Sequence, residues 1–273
     1  DENTMPLTYC SYGYNIGFRN GALINGMGID YAKIKDKTLP HVGLIGKRII
    51  KSWIYYKYNY TQNQREDMIV ALLDDNTVYV TLLDGGTAFE QTTMSFDGGT
   101  ASALNYHHNG EDVFLIFGSE GGMYMFDGQN AEYYSETPGF LSVCLHYDRV
   151  YGVTASGHNR VYFSDDLNPV NWRVSMDQGG YISFPDEGGR AQKVVSFNDY
   201  VFIFREYAIH RLTAYTDLTE YKLTKTFSTN NKIYPDTVQI CSDKIVFLAE
   251  DGLYAFDGFI ARKIYSKLFP LID

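Results

Sequence analysis

The chain has 273 residues, of which 45% are apolar and 21% charged, a composition that excludes a disordered or fibrous protein and suits one large domain. Its formal charge of −10 argues against a protein that grips nucleic acid through the phosphates, which it would repel over most of its surface. The 24 tyrosines, 17 phenylalanines and 25 glycines favour strands and tight turns, so an all-β fold is expected. Cys10, Cys144 and Cys241 form no CxxC pair, and neither a disulfide framework nor a cysteine-built zinc site is expected. No apolar run approaches the ~20 residues of a membrane span.

In chain order, residues 1–21 read as an extended N-terminal arm and 22–273 as one propeller domain. The stretch from Ala22 to Tyr60 has room for further strands. It carries the basic residues Lys33, Lys35, Lys37, Lys47, Arg48 and Lys51, then the aromatic cluster Trp53, Tyr55, Tyr56, Tyr58 and Tyr60. Alternation predicts that Tyr56, Tyr58 and Tyr60 share one face of a strand. Residues 1–65 hold 9 basic and 4 acidic side chains, whereas residues 66–204 hold 5 and 20. A basic start and an acidic centre suit head-to-tail docking of subunits, with ordinary solubility as the plainer reading.

Five apolar hairpins follow, starting near Met68, Val113, Val150, Val201 and Ile245. Two of them end almost identically, in GMYMFDG (Gly122 to Gly128) and GLYAFDG (Gly252 to Gly258). The hairpins return at intervals of 37 to 51 residues. A period of ~40–50 residues with four short strands marks a propeller blade. The expectation is a β-propeller of five to six blades, closed by a terminal strand that completes the last blade. Alternating tyrosines and phenylalanines are expected to fill the wedges between blades.

Motifs that carry chemistry are scarce. The pairs Asp84-Gly85, Asp97-Gly98, Asp127-Gly128 and Asp257-Gly258 read as turns, in which Asp accepts backbone hydrogen bonds and Gly supplies positive φ. His107 and His108 are adjacent and point to opposite faces of a strand. The segment SDDLNPVNW resembles the Asp-box turn of sialidase-like propellers, with Ser164, Asp166 and Trp172 in the structural positions. It departs from that pattern in Asn168 and Pro169, which replace the expected glycine, and in a tryptophan one residue late. No catalytic residue, cofactor or metal is expected, and the chain reads as a non-enzyme.

Three stretches carry a wider resemblance. NIGFRNGALING (Asn15 to Gly26) resembles the opening of certain bacteriophage and prophage structural proteins. RVYFSDDLNPVNW with SFNDYVFIFREYAIHRL is similar to their central blades, and IVFLAEDGLYAFDG with KLFPLID to their last one. The resemblance implies a virion protein of the tail-nozzle, tail-tube or head-to-tail adaptor kind, made in the bacterial host and forming a homo-oligomeric ring around the DNA channel. Its partners would be further copies of itself and neighbouring tail or portal proteins, with DNA passing unbound and no membrane contact. Nozzle proteins of this kind are considerably longer, with added domains. The alternative is a carbohydrate-binding or glycoside-cleaving propeller that stacks sugar rings on the Trp53–Tyr60 aromatics.

Overall fold

A computed structural model describes Leu44 and residues 47–83, 88–155, 159–174, 179–214 and 218–265, except the side chains of Thr219 and Tyr265. Nearer the N-terminus it describes the backbone of four short strands. There β1 (Ile16–Arg19) pairs with β2 (Ala22–Asn25), and β3 (Lys33–Ile34) with β4 (Lys37–Thr38). The arm expected over 1–21 therefore shares a ladder with the segment that follows it.

The rest is five four-stranded antiparallel sheets, each built from consecutive stretches of chain. Blade 1 begins with β5 (Ile49–Tyr55), whose link to the next blade strand carries the hairpin of β6 (Tyr58–Asn59) and β7 (Gln64–Arg65). It continues through β8 (Met68–Leu73), β9 (Thr77–Leu82) and β10 (Glu90–Ser95). Blade 2 is β11 (Ala101–His108), β12 (Glu111–Gly118), β13 (Met123–Phe126) and β14 (Ala131–Tyr134). Blade 3 is β15 (Ser142–His146), β16 (Arg149–Val153), β17 (Arg160–Phe163) and β18 (Gly180–Ser183). Blade 4 is β19 (Ala191–Phe197), β20 (Tyr200–Arg205), β21 (Ala208–Thr213) and β22 (Lys222–Ser228). Blade 5 is β23 (Ile233–Cys241), β24 (Lys244–Ala249), β25 (Gly252–Phe256) and β26 (Ala261–Tyr265). The first strands of successive blades pack side by side, β5 on β11, β11 on β15, β15 on β19 and β19 on β23. The protein is a β-propeller.

Each sequence hairpin proves to be the two middle strands of a blade. Left-handed asparagines fill tight turns beside these strands: Asn76 between β8 and β9, Asn109 between β11 and β12, and Asn198 between β19 and β20 have φ of 62°, 52° and 52°. At the repeated FDG endings, Asp127 Oδ1 accepts from Gln129 and Asn130 N–H at 2.7 and 2.6 Å. Asp257 Oδ1 accepts from Phe259 and Ile260 N–H at 2.8 Å each, so these acids fasten turns as expected. The Asp84-Gly85 turn lies outside the described residues.

Among the described residues, four apolar clusters bind the blades in sequence. Blade 1 meets blade 2 through Tyr55, Val70 and Met94 against Phe114 and Phe126. Blade 2 meets blade 3 through Phe117 and Met123 against Phe140 and Trp172. Blades 3 and 4 share Tyr151, Phe163 and Ile203, and blades 4 and 5 share Phe202, Phe204, Phe247 and Phe256. Phenylalanine, more than tyrosine, fills the wedge centres, with Tyr55 and Tyr151 the exceptions. Only Tyr55, Tyr79, Tyr106 and Tyr151 are buried among the described tyrosines, because a buried phenol needs a partner for its hydroxyl. Tyr55 and Tyr106 meet that demand on carbonyls of the next blade or loop, Asp112 at 2.5 Å and Asp148 at 3.1 Å.

The last blade is completed by β26, the final strand among the described residues, and no strand from the other end of the chain joins it there; each sheet takes its strands in chain order, blade 1 passing over only the β6–β7 hairpin. One further expectation changes. In the Asp-box-like turn, Ser164 is buried and its Oγ accepts from Val150 N–H at 3.0 Å, and Trp172 packs 4.7 Å from Phe140. The acid that ties the turn is Asp165 rather than Asp166. Its Oδ1 accepts from the Asp166 N–H at 2.8 Å and its own N–H donates to the Asn171 carbonyl at 2.8 Å, whereas Asp166 is exposed. The longer loop through Asn168 and Pro169 shifts the fastening back by one residue.

Candidate functional site: the β6–β7 hairpin cleft

The aromatic cluster at Trp53 to Tyr60 does not lie on one strand. β5 ends at Tyr55, and alternation along it turns Trp53 and Tyr55 toward blade 2, where Tyr55 is wholly buried and Trp53 half-buried against Phe114. Tyr55 therefore offers no contact surface and Trp53 only part of its ring, which corrects the reading of both as exposed. Tyr58 opens β6 and Tyr60 stands at the head of the turn that joins it to β7, so Tyr56, Tyr58 and Tyr60 share no strand face. Tyr56 and Tyr60 are the exposed pair, at 52% and 59%.

The hairpin is held rigidly on blade 2. Asp112, on β12, accepts the Tyr58 N–H at Oδ2, 3.0 Å away, and faces His107 Nδ1 with Oδ1 at 3.0 Å. Asn105 accepts the Tyr56 N–H at 2.8 Å and donates to the Ile54 carbonyl at 3.0 Å, closing a reciprocal pair across the blade boundary. Within the hairpin, Asn59 donates to Glu66 at 2.9 Å and Arg65 pairs with Asp67 at 2.7 Å, while the Tyr58 hydroxyl donates to Asn63 at 2.5 Å. Asn63 itself holds φ of 53°, the left-handed corner of the loop. Tyr60 then meets Tyr58 edge-on at 5.1 Å and His107 at 6.4 Å. These bonds fix an aromatic knob in place before any partner arrives.

Between this knob and blade 2 runs a cleft of about 220 Å³, bordered by Tyr58, Tyr60, Glu111, Asp112 and Asp127 with Lys57 at its edge. Hydrogen bonds from Asn130 and Gln129 hold the Asp127 carboxyl below its usual range despite the opposing effect of partial burial. The cleft thus offers fixed carboxylates beside aromatic edges, a surface suited to a cationic or multiply hydroxylated group. A larger groove of about 630 Å³ lies between Tyr133 and Tyr134 of β14 and the loop Asn168 to Arg173, with Trp172 beneath it. Among the described residues, no three His, Cys, Asp or Glu side chains gather as metal ligands. Burial pushes the Cys144 thiol up to about 12, which leaves it inert as a nucleophile.

The basic residues of the sequence reading separate. Lys47 is held within its own blade by the Tyr79 hydroxyl and Asp75, each at 2.9 Å, and Lys51 donates to the Ala101 carbonyl at 2.9 Å. Neither is free to meet a neighbour, and only Arg48 of the three is exposed. Lys33 and Lys37 lie on β3 and β4, whose side chains are outside the description, as is all of Lys35. The cleft's acidic half, Asp112 with Asp127, escaped sequence reasoning because Asp112 lies on β12 and Asp127 in the turn after β13, apart in sequence. The repeated FDG ending was the signal that placed Asp127 at a rim.

No protein-family model matches the sequence, and no curated protein matches it. Solved structures share the fold. YCF48 from Cyanidioschyzon merolae aligns at a TM-score of 0.51 and 13% identity, over 75% of this chain and 70% of its own. BBS1N, solved in complex with ARL6DN, aligns at 0.55 and 7%, over 80% of this chain and 70% of its own. Raptor from Chaetomium thermophilum aligns at 0.55 and 10%, over 81% of this chain but 21% of its own. At these identities the likeness carries the propeller architecture and nothing about what the chain binds.

Proposed function

We propose that the chain is a non-enzymatic structural propeller of a tailed bacteriophage or prophage virion, a ring-forming tail or head-to-tail component that binds further copies of itself and adjacent tail or portal proteins. The observation that carries the reading is the exposed pair of Tyr56, just before β6, and Tyr60, in the turn of the β6–β7 hairpin, with Arg65, Glu66 and Asp67 close by. Rigid tyrosines are efficient anchors because they bury much area while losing little rotamer freedom. Arg65, which lies 5.9 Å over the Tyr56 ring, adds a cation to the same knob. The resemblance of the Asn15–Gly26 and Arg160–Trp172 stretches to phage structural proteins supplies the class of assembly. Mass photometry and negative-stain imaging over a range of concentrations test it. Closed rings support the reading, and monomers alone, even with the tail or portal proteins encoded beside it, overturn it.

The cleft itself favours one second reading, a glycan-binding or glycan-cleaving propeller with sugar against Tyr58 and Tyr60 and hydroxyls on Glu111, Asp112 and Asp127. A glycan array and a reducing-sugar assay decide this; silence in both removes it.

A further inference from the structure

The turns that end GMYMFDG and GLYAFDG are one structure built twice. Gly128 and Gly258 both hold φ of 99°, and in each turn the aspartate Oδ1 accepts from the two N–H groups that follow the glycine. Blade 2 fills those two positions with the polar pair Gln129 and Asn130. Blade 5 fills them with Phe259 and Ile260, exposed at 61% and 54%. The fold has no need of apolar side chains there, since blade 2 makes the same turn without them.

Phe259 belongs to a second arrangement. Arg211, on β21 of blade 4, stacks its guanidinium over the Phe259 ring at 5.2 Å and over the Tyr200 ring at 4.6 Å. Its Nε is buried without a hydrogen-bond partner, and among the described residues no carboxylate pairs with it, whereas Arg65 and Arg205 each hold an aspartate. A guanidinium fixed against aromatic rings keeps its planar fork in one orientation, ready for the two oxygens of a carboxylate.

The carboxylates it lacks stand elsewhere on the same chain. Glu111, at the start of β12, is exposed and has no ion-pair partner among the described residues; with Asp127 and the exposed Tyr60 it borders the 220 Å³ cleft. Lys57 at the cleft edge is held by Glu66 at 3.6 Å. Topology puts stack and cleft on one face of the ring. Consecutive strands are antiparallel, so in every blade the second strand begins and the third ends at the same face. Glu111 opens a second strand and Asp127 follows a third; Tyr200 opens a second strand and Phe259 follows a third.

We propose that this face is a contact between two copies of the chain, in which the Arg211–Phe259 stack of each copy docks in the Glu111–Asp127 cleft of the other. Charge complementarity selects the occupant: the stack is a cation without an acid, and the cleft holds an acid without a cation, on a chain of net charge −10. Two copies related by a twofold axis in the contact plane make both contacts at once. Phe259 and Ile260 then bury against Tyr60, the kind of aromatic and arginine cluster that dominates interfaces. The contact requires only a second copy and stands apart from the ring reading.

Sedimentation velocity of the full chain alone, over a concentration series, tests this. The parent passes from monomer to dimer, less readily as salt is added. Arg211→Glu and Glu111→Arg each raise the dissociation constant roughly tenfold or more, by setting like charges against each other. An equal mixture of the two variants restores the dimer, because the reversed charge of one then meets the reversed charge of the other. Phe259→Gln with Ile260→Asn, which copies the blade 2 pair into blade 5, keeps the thermal midpoint and loosens the dimer by a similar factor. A parent that stays monomeric alone overturns the proposal, and so does a dimer that both reversals leave intact or that the mixture fails to restore. Closed rings that survive both reversals would keep the ring reading and remove this contact.

Discussion

Arg205 is a charged side chain with no exposure, and everything it touches explains why the fold tolerates it. Its guanidinium pairs with the Asp186 carboxylate and donates to the Gly189 carbonyl at 3.0 Å, the Asp186 carbonyl at 2.9 Å and Asn159 Oδ1 at 3.1 Å, beneath the Phe184 ring. The planar fork thus pins the link between blades 3 and 4 onto the end of β20. Arg205→Met keeps the volume but leaves Asp186 with Lys225 as its remaining cation and leaves the Gly189 and Asp186 carbonyls without their donor. A loss of ~3–5 kcal/mol is expected in urea unfolding, and Arg205→Lys, a point charge without the fork, recovers little of it. The same cluster sets a pH dependence. Burial, countered only in part by Asp186, holds His210 at about 4, with Arg205 and Lys225 opposing its charge as well. A histidine whose folded pKa is depressed takes up its proton more readily when unfolded. Its contribution is therefore full above ~6.5 and is lost as pH falls toward 4. Asp186, held at about 2 by Lys225 and Arg205 against the effect of burial, loses its own contribution only below that window. Thermal melts should fall steadily from pH 7 to 4, and His210→Gln should flatten that slope; an unchanged slope would remove His210 as its source.

At the level of elements, the middle strands of each blade were legible because their apolar residues run unbroken, as in VFLIF and VFIF, and because in blades 1, 2 and 5 the third strand leads into an Asp-Gly pair. The first and fourth strands were not. β11 (ASALNYHH) and β23 (IYPDTVQIC) alternate toward polar residues because they border the centre of the ring, and β14 (AEYY) and β18 (GYIS) lie at outer edges where one ladder side meets solvent. The candidate cleft was half legible for a related reason: its tyrosines lie together in sequence, while its carboxylates come from a neighbouring blade. Local spacing also hid a close approach in β16. A Cβ on Gly152 would stand 2.5 Å from the Phe140 ring, so Gly152→Ala forces apart the blade 2–blade 3 wedge, with an expected cost of ~1–3 kcal/mol by denaturant melt. The β6–β7 hairpin is the opposite case. Replacing residues 58–65 by a two-residue Asn-Gly turn removes an outlying insertion and leaves β5 and β8 paired. The thermal midpoint should move by only a few degrees, while any ring assembly seen for the parent is lost.

Across the whole molecule, stability is carried mainly by the wedges between blades, since four of the five apolar clusters among the described residues join two blades and only the small one of Leu44, Ala71, Leu73 and Tyr79 lies within blade 1. Each wedge joins nearest neighbours, so the propeller behaves as a short array bent toward closure, and the strength of each seam decides where it opens first. The seam between blades 2 and 3 interlocks three rings, with Phe117, Phe140 and Trp172 within 4.7 to 6.2 Å of one another. The seam at the outer face of blade 5 is the thinnest, with Val246 and Leu248 half-buried and Ile264 exposed at 54%. Native-state hydrogen exchange should therefore be graded. Amides of β16 and β20, covered on both faces, open only with the whole molecule, whereas those of β25 and β26 open at a fraction of that free energy. Phe117→Ala, which takes one ring out of the three-ring wedge between blades 2 and 3, should cost ~3–5 kcal/mol and bring β12 and β16 down together, leaving the order of the remaining strands intact. Uniform exchange across all five blades would instead mean that the ring opens as one unit, and that the outer face of blade 5 is sealed as firmly as the wedges between its predecessors.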